Sequence, residues 1–129
     1  MDVHVDVDVD VDERAGLTLA HERLDVYQRA VEFLAIAVRI LECLPGGCSV
    51  LSDQLRRASL SIPLNIAEGV GKANEADRRR YYQIARGSAT ECGAILDACR
   101  ILHVANDEAL DQGKRLPVRV VSMLSRMCR

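Results

Sequence analysis

A chain of 129 residues is long enough for one hydrophobic core and too short for two ordinary domains. Its hydrophobic fraction is 49%, yet aromatics are 3% and Trp is absent, so the core must be built from Leu, Ile, Val and Ala, which suits close helix packing and disfavours a β-sandwich. The net charge of −2 hides an uneven distribution: residues 1–13 hold six acids and no base, leaving 17 basic against 13 acidic residues elsewhere, a body of +4.

The opening residues alternate Val with Asp, with His4 in one Asp position. Period two is a strand pattern, but a lone strand with one fully charged face has nothing to pair with. Residues 1–18 are therefore expected to be a disordered acidic tail, and 19–129 the folded domain. The N-terminus lacks the basic-then-apolar order of a signal peptide, and no apolar run reaches about 18 residues. The expectation is a cytoplasmic protein with no membrane association.

The first helix is predicted from Leu19 or Glu22 to Leu44, ended by Pro45-Gly46-Gly47. Leu24, Tyr27, Val31, Leu34, Val38 and Leu41 follow alternating spacings of 3 and 4, the seam of a bundle. A second series, Val26, Ala30, Phe33, Ala37, Ile40 and Leu44, has the same rhythm on the adjoining face. Together they cover about 160° of the helix, more than the roughly 100° that a core-facing helix needs. Either the helix is unusually buried, or the second series is an oligomer interface. The second reading is preferred, because a helix of a four-helix monomer keeps a solvent face, and it assigns Val26, Phe33, Ala37 and Ile40 to contact with another subunit.

The second helix is predicted from Ser49 or Ser52 to Gly69 or Gly71, with Leu51, Leu55, Ala58, Ile62, Ile66 and Gly69 as its seam and a kink at Pro63. The third opens at Asn74, a good N-cap followed by Glu75 and Asp77, and runs to His103 or Ala105. Tyr81, Ala85, Ser88, Cys92, Ile95, Cys99 and Leu102 form its seam; Gly87, Ala94 and Ala98 make a small-residue flank that another helix could approach closely. Asn106 caps a fourth helix to Met127, expected to be kinked or split near Leu116 by Gly113 and Pro117. Short connections favour antiparallel neighbours, so the fold class is all-α, an up-down-up-down four-helix bundle.

Little in the chain points to catalysis. The three histidines are scattered, with no Glu-x-x-His pair, H-E-x-x-H, phosphate loop or G-x-S-x-G elbow. Gly69-Val70-Gly71-Lys72 reads as a helix C-cap and turn. The five cysteines form no C-x-x-C pair and read as small buried hydrophobes in a reducing compartment, with a metal or redox site the lesser alternative. No catalytic residue, metal, cofactor or small-molecule substrate is expected, and hence no enzyme.

Asn65, Glu68 and Glu91 fall at or beside the apolar seams, where a carboxylate needs a partner. They are expected to join a hydrogen-bonded network that holds the second and third helices in register, ahead of any catalytic role. Arg78, Arg79 and Arg80 precede Tyr81, while Arg79, Arg86 and Arg100 are spaced by 7 and 14 and form one ridge on the third helix. Lys114, Arg115, Arg119, Arg126 and Arg129 follow on the fourth helix with no acid after Asp111. Such surfaces can track phosphates, or be ordinary solvated faces. The candidate nucleic-acid contacts are Arg78, Arg79, Arg86, Arg100, Lys114, Arg115 and Arg119.

Four blocks carry a resemblance: L-D-V-Y-Q at 24–28, Q-L-R-R-A-S at 54–59, S-I-P-L-N-I-A-E-G at 61–69 and I-A-R-G-S-A-T-E at 84–91. Over residues 20–128 the chain resembles the four-helix bundle proteins encoded in intervening sequences of bacterial large-subunit rRNA genes, of which the accessory variability protein of diversity-generating retroelements is a relative of the same shape. The resemblance implies an antiparallel bundle, a ring-like homopentamer and no enzymatic activity. For the retroelement relatives it implies binding of nucleic acid and of a reverse transcriptase through a basic outer surface. The leading expectation is thus a homo-oligomer associated with RNA or DNA; the alternative is a protein–protein scaffold with no nucleic-acid binding.

Overall fold

The structure, a computed structural model, describes residues 18–129; the expected tail, residues 1–18, falls outside that range except for Thr18. Four long helices make up the described chain: α1 (Asp25–Cys43), α2 (Ser49–Val70), α3 (Glu75–Ile101) and α4 (Asp107–Met127), with a short 3₁₀ turn at Ala20–Arg23 before α1. That turn replaces the predicted start of the first helix. The Leu19 N–H donates to the Glu22 carboxylate at 2.7 Å, and Leu24 is extended, so the α-helix begins only after it.

The predicted caps form. Asn74 Oδ1 accepts from the Asp77 N–H at 3.1 Å, and Asn106 Oδ1 accepts from Glu108 and Ala109 at 2.8 and 3.2 Å. α3 ends in a Schellman turn, with Val104 N–H bonded to Cys99 O and His103 N–H to Arg100 O, both at 3.1 Å. His103 takes the left-handed position, φ 55°, where glycine is usual.

α2 runs on through Pro63, and α4 is neither split at Gly113 nor ended by Pro117. All three residues are buried. Each proline removes one helical hydrogen bond, but packing of the buried face outweighs that local preference. Gly113 lets α4 sit close: a Cβ there would lie 3.4 Å from Ile36 and Leu96 side-chain carbons.

Side-chain pairings run in opposite senses along neighbouring helices. Arg57 meets Glu91 and Ser61 meets Ser88 between α2 and α3; Arg86 meets Ser125 and Lys114 meets Asp97 between α3 and α4. Arg119 meets Asp25 between α4 and α1. The helices pack in the cyclic order α1-α2-α3-α4, with α1 against α4 and no direct α1–α3 or α2–α4 packing. The bundle is therefore antiparallel, and the α1/α2 face lies on the opposite side from the α3/α4 face.

The core is aliphatic. Phe33, Leu55, Ile62, Ile66, Leu96, Leu110, Val120 and Leu124 are its largest side chains, with Ala30, Ala37, Ala58, Ala85 and Ala89 where helices approach. Here one expectation is corrected. Val26, Phe33, Ala37 and Ile40 are the inward face of α1, at most 3% exposed, and are not available to another subunit. Ala30 and Ala37 let the neighbouring helices close around Phe33. Of the other series, Val31 and Val38 turn outward, while Leu24, Tyr27 and Leu41 pack half-buried against the core.

Candidate functional site

Two features of the surface stand out: apolar side chains left uncovered, and cations gathered at one end.

The outward side of α1 and the adjoining side of α2 leave large aliphatic groups in water. Val38 is 44% exposed and Leu64 58%. Leu34, Val38, Leu41, Glu42, Arg56, Ser59 and Leu60 line a groove of about 260 Å³ between these helices. The apolar surface continues along α2 to Leu64, Ala67 and Leu19. Leu60 and Leu64 were not among the sequence candidates. Their signal was available: about 140° and 180° from Leu55 around the wheel, they are leucines on the wrong side of a seam. Across the bundle, Ala89, Thr90, Gly93, Ala94, Asp97, Lys114, Pro117, Val118 and Val121 line a second groove, about 400 Å³, between α3 and α4.

The cations divide by height in the bundle. Around the α2–α3 turn, counting residues 18–33, 61–87 and 118–129, ten Lys and Arg face six Asp and Glu. The opposite half holds six cations and seven acids. The seven candidate contacts split accordingly. Arg100 is held by Asp107 at 3.3 Å and by Asp111, and Lys114 by Asp97 at 2.5 Å. The acidic first turns of α4 lie beside the C-terminal end of α3, so the ridge through Arg100 is neutralised at its far end. Arg79 pairs with Glu75 at 3.3 Å and Arg119 with Asp25 at 3.6 Å. Arg78 donates to the Lys72 carbonyl at 2.8 Å, which ties α3 to the turn before it. Arg86 reaches only Ser125 Oγ, at 3.4 Å, and Arg115 is exposed with no partner among the described residues.

Folding adds cations that the sequence candidates omitted. Arg80 lies over the Tyr81 ring, 4.7 Å from its centroid, with Lys72 Nζ at 5.3 Å. Arg126 and Arg129 end α4 at this same height. Arg80, Arg86, Arg126 and Arg129 thus share this half with no carboxylate partner among the described residues, while the opposite half leaves Arg39 and Arg115 in the same state.

The expected three-residue polar network resolves into separate contacts. Asn65 Nδ2 donates to Ser61 O at 2.9 Å and to Ser61 Oγ at 3.0 Å, and Ser61 Oγ meets Ser88 Oγ at 2.8 Å, bridging α2 and α3. Glu91 is not part of it. Its side chain is 38% exposed and pairs with Arg57 at 3.0 Å, an exposed contact worth roughly 0.2–1 kcal/mol. Glu68 is exposed and pairs with Lys72 at 3.1 Å; hydrogen bonding to that carboxylate raises the Lys72 ammonium above its ordinary value. Glu91 and Glu68 project outward because each lies one step beyond its helix's buried face, where a long side chain reaches water.

In the N-I-A-E-G block, Gly69 keeps the seam position that its spacing gives it, and of the two predicted ends, Gly69 and Gly71, the helix takes the second. Gly69 lies inside α2 with a negative φ, and Gly71 follows as the cap residue. A Cβ on Gly69 would stand 2.7 Å from Tyr82 Cε1, so this glycine makes room for the Tyr82 ring between α2 and α3.

Cys92 and Cys99 are buried in the core, Cys48 and Cys128 half-buried and Cys43 exposed, all as free thiols. Burial, with Glu91 nearby, pushes the Cys92 thiol up to about 12, and burial also raises Cys99, so both stay protonated and unreactive at neutral pH. Among the described residues no cluster of His, Cys, Asp or Glu could hold a metal, and no helix is long and apolar enough to cross a membrane.

Comparison with known proteins adds the following. No curated protein matches. A crystal structure from Bacteroides thetaiotaomicron, of a protein described as of unknown function and placed in the S23 ribosomal protein family, superposes with a TM-score of 0.75 at 22% identity, over 81% of this chain and 98% of that one. At that identity the likeness speaks for the fold alone. The sequence pattern of the 23S rRNA-intervening sequence proteins matches residues 22–126, nearly the whole described bundle, and the chain belongs to that family.

Proposed function

We propose that this protein is a non-enzymatic, cytoplasmic accessory protein that assembles with itself, as a homopentameric ring, and associates with RNA or DNA. The observation that carries the reading is the apolar α1/α2 face, with Val38, Leu60 and Leu64 in water. A monomer gains nothing from such a patch, and contiguous exposed apolar surface of this kind marks a contact site. The ring size of five comes from the family resemblance. Nucleic-acid association is supported by the cations around the α2–α3 turn, where Arg80, Arg86, Arg126 and Arg129 have no carboxylate partner among the described residues. Repeated around a ring, such an end would present several copies of the same positive surface to a phosphate backbone. A reverse transcriptase is the protein partner that the retroelement relatives suggest.

Two measurements test this. Light scattering at micromolar concentration should report an oligomer, and a monomer would end the assembly reading. Titration of a generic labelled RNA and DNA should show binding that weakens as salt rises. Deleting residues 1–13 should tighten that binding, most at low salt, because six acids leave a body of +4. Thirteen extended residues span up to roughly 40 Å, enough to reach cations on the same or a neighbouring subunit. If neither form binds at low salt, the scaffold reading replaces the nucleic-acid one.

A further inference from the structure

The chain reaches the bundle at the edge of its uncovered apolar face. Leu19, 64% exposed, lines a pocket of about 600 Å³ with Leu64, Ala67 and Val70. From there the apolar surface runs along α2 to Leu60 and across to Val38 on α1, in the groove of about 260 Å³. At about 1.5 Å of rise per residue, the track from Val70 back to Arg56 measures about 21 Å. Residues 1–17 lie outside the described range, but their sequence fits this track. Val3, Val5, Val7, Val9 and Val11 recur at every second position, with His4, Asp6, Asp8 and Asp10 between them. An extended backbone sends alternate side chains to opposite sides, so all five valines share one edge and the carboxylates the other. Residues 3–11 so extended span about 30 Å, enough to cover the track. Charge points the same way. The pocket lies in the half of the bundle where ten Lys and Arg face six Asp and Glu, and residues 1–13 hold six acids. Arg23, exposed in the 3₁₀ turn that also lines the pocket, has no ion pair among the described residues. Arg56, at the far end of the track, has only a long exposed one to Asp53 at 3.6 Å.

We infer that residues 3–11 lie extended along the α1/α2 face of their own chain, valines inward, from the Leu19–Leu64 pocket towards Leu60 and Val38. Alone, such a segment has nothing against which to bury its valines; the α1/α2 face supplies that surface. The tether favours the contact, because a short linker holds the segment at an effective concentration on the order of millimolar. The inference goes beyond the assembly and nucleic-acid readings and depends on neither, since a subunit that never assembles has the same face to cover. Docked there, the segment takes the apolar face out of water and sets its carboxylates beside the cationic end. A second copy that approaches this face must displace it first.

The chain has no Trp, so a single introduced one reports its surroundings without background. In the full chain, Val7→Trp should emit at shorter wavelength than Asp8→Trp and resist acrylamide quenching severalfold better, while Asp8→Trp should behave as Trp in water. Adding Leu60→Asp to Val7→Trp should return its emission to the solvent value. Circular dichroism checks that the bundle stays helical, and Leu64→Asp stands in if Leu60→Asp fails to fold; both positions are exposed. Equal emission from the two reporters overturns the inference, because the alternation would then have no inside. A Val7→Trp shift that survives the aspartate overturns it too, since the segment would lie elsewhere. A shift that fades on dilution would place the segment on a neighbouring copy and equally overturns it. Light scattering on the same proteins reads assembly separately: a monomer with a shielded Trp ends the self-assembly reading and leaves this one standing.

Discussion

Replacing Gly69 by Ala probes the contact that joins the N-I-A-E-G block to α3. The new Cβ would stand 2.7 and 3.0 Å from Tyr82 Cε1 and Cδ1, and 3.2 Å from the Arg78 carbonyl oxygen. Ordinary carbon contacts lie near 3.5–4.0 Å, so the ring or the helix must move by about 1 Å. The Tyr82 ring is 7% exposed and cannot swing into solvent freely. Overpacking of this kind typically costs about 1–3 kcal/mol. Against it stands the gain of about 0.5–1 kcal/mol from removing a glycine inside a helix. The net is a loss of up to about 2.5 kcal/mol, centred on about 1, or a fall in Tm of roughly 4 °C at that centre for a domain of this size, read by thermal denaturation at fixed protein concentration. Gly87→Ala is the control, because a Cβ there meets nothing within 4 Å, and it should stabilise. In a Tyr82→Ala background the cost of Gly69→Ala should shrink, since only the Arg78 carbonyl remains in its way. A Gly69→Ala protein as stable as the wild type would refute the packing argument.

The two faces of α1 should respond in opposite ways. Phe33→Ala should cost about 3–5 kcal/mol and Phe33→Asp should unfold the chain, whereas Val38→Asp should leave the helical signal of the subunit unchanged; equal effects in circular dichroism would reverse the assignment of inside and outside. His103→Gly should raise stability by about 0.5–1 kcal/mol, because φ 55° disfavours a residue with a Cβ, and an unchanged Tm would mean that the turn carries no strain. Cys92, Cys99 and Tyr82 are all raised by burial, so the folded chain keeps protons that the unfolded chain releases. Their contribution is fully present below the ordinary thiol value of 9.0 and is lost as pH climbs towards about 12 for Cys92. Melting scans through that range should show falling Tm with a shallower slope in Cys92→Ala; an unaltered slope would show that Cys92 does not couple to folding.

The sequence alone determined the elements and the class of fold. Asn74 and Asn106 fixed helix starts because a side-chain cap is a local interaction, and periodic Leu, Ile, Val and Ala fixed four amphipathic helices in a chain too poor in aromatics for a β-sandwich. What it left undecided was rotation and distance. Both apolar series on α1 satisfy the same spacing, and only the packing of α2 and α4 around Ala30, Phe33 and Ala37 turned one inward and left Val38 in water. Pro63 reads locally as a kink inside its helix, and Gly113 with Pro117 as a kink or a split, yet burial in a shared core carries both helices through unbroken. Gly69 reads along the chain as a seam residue or a helix end, and only the fold sets Tyr82, thirteen positions later, against it. The charges tell the same story. Arg100 and Lys114 read as free cations along the chain, but the acids that hold them come from the neighbouring helix, and Arg86, Arg126 and Arg129 gather at one end only when α3 and α4 lie antiparallel. Local chemistry is written in neighbouring residues; which face is buried, and which charge is already spent, depends on segments that sequence distance keeps apart.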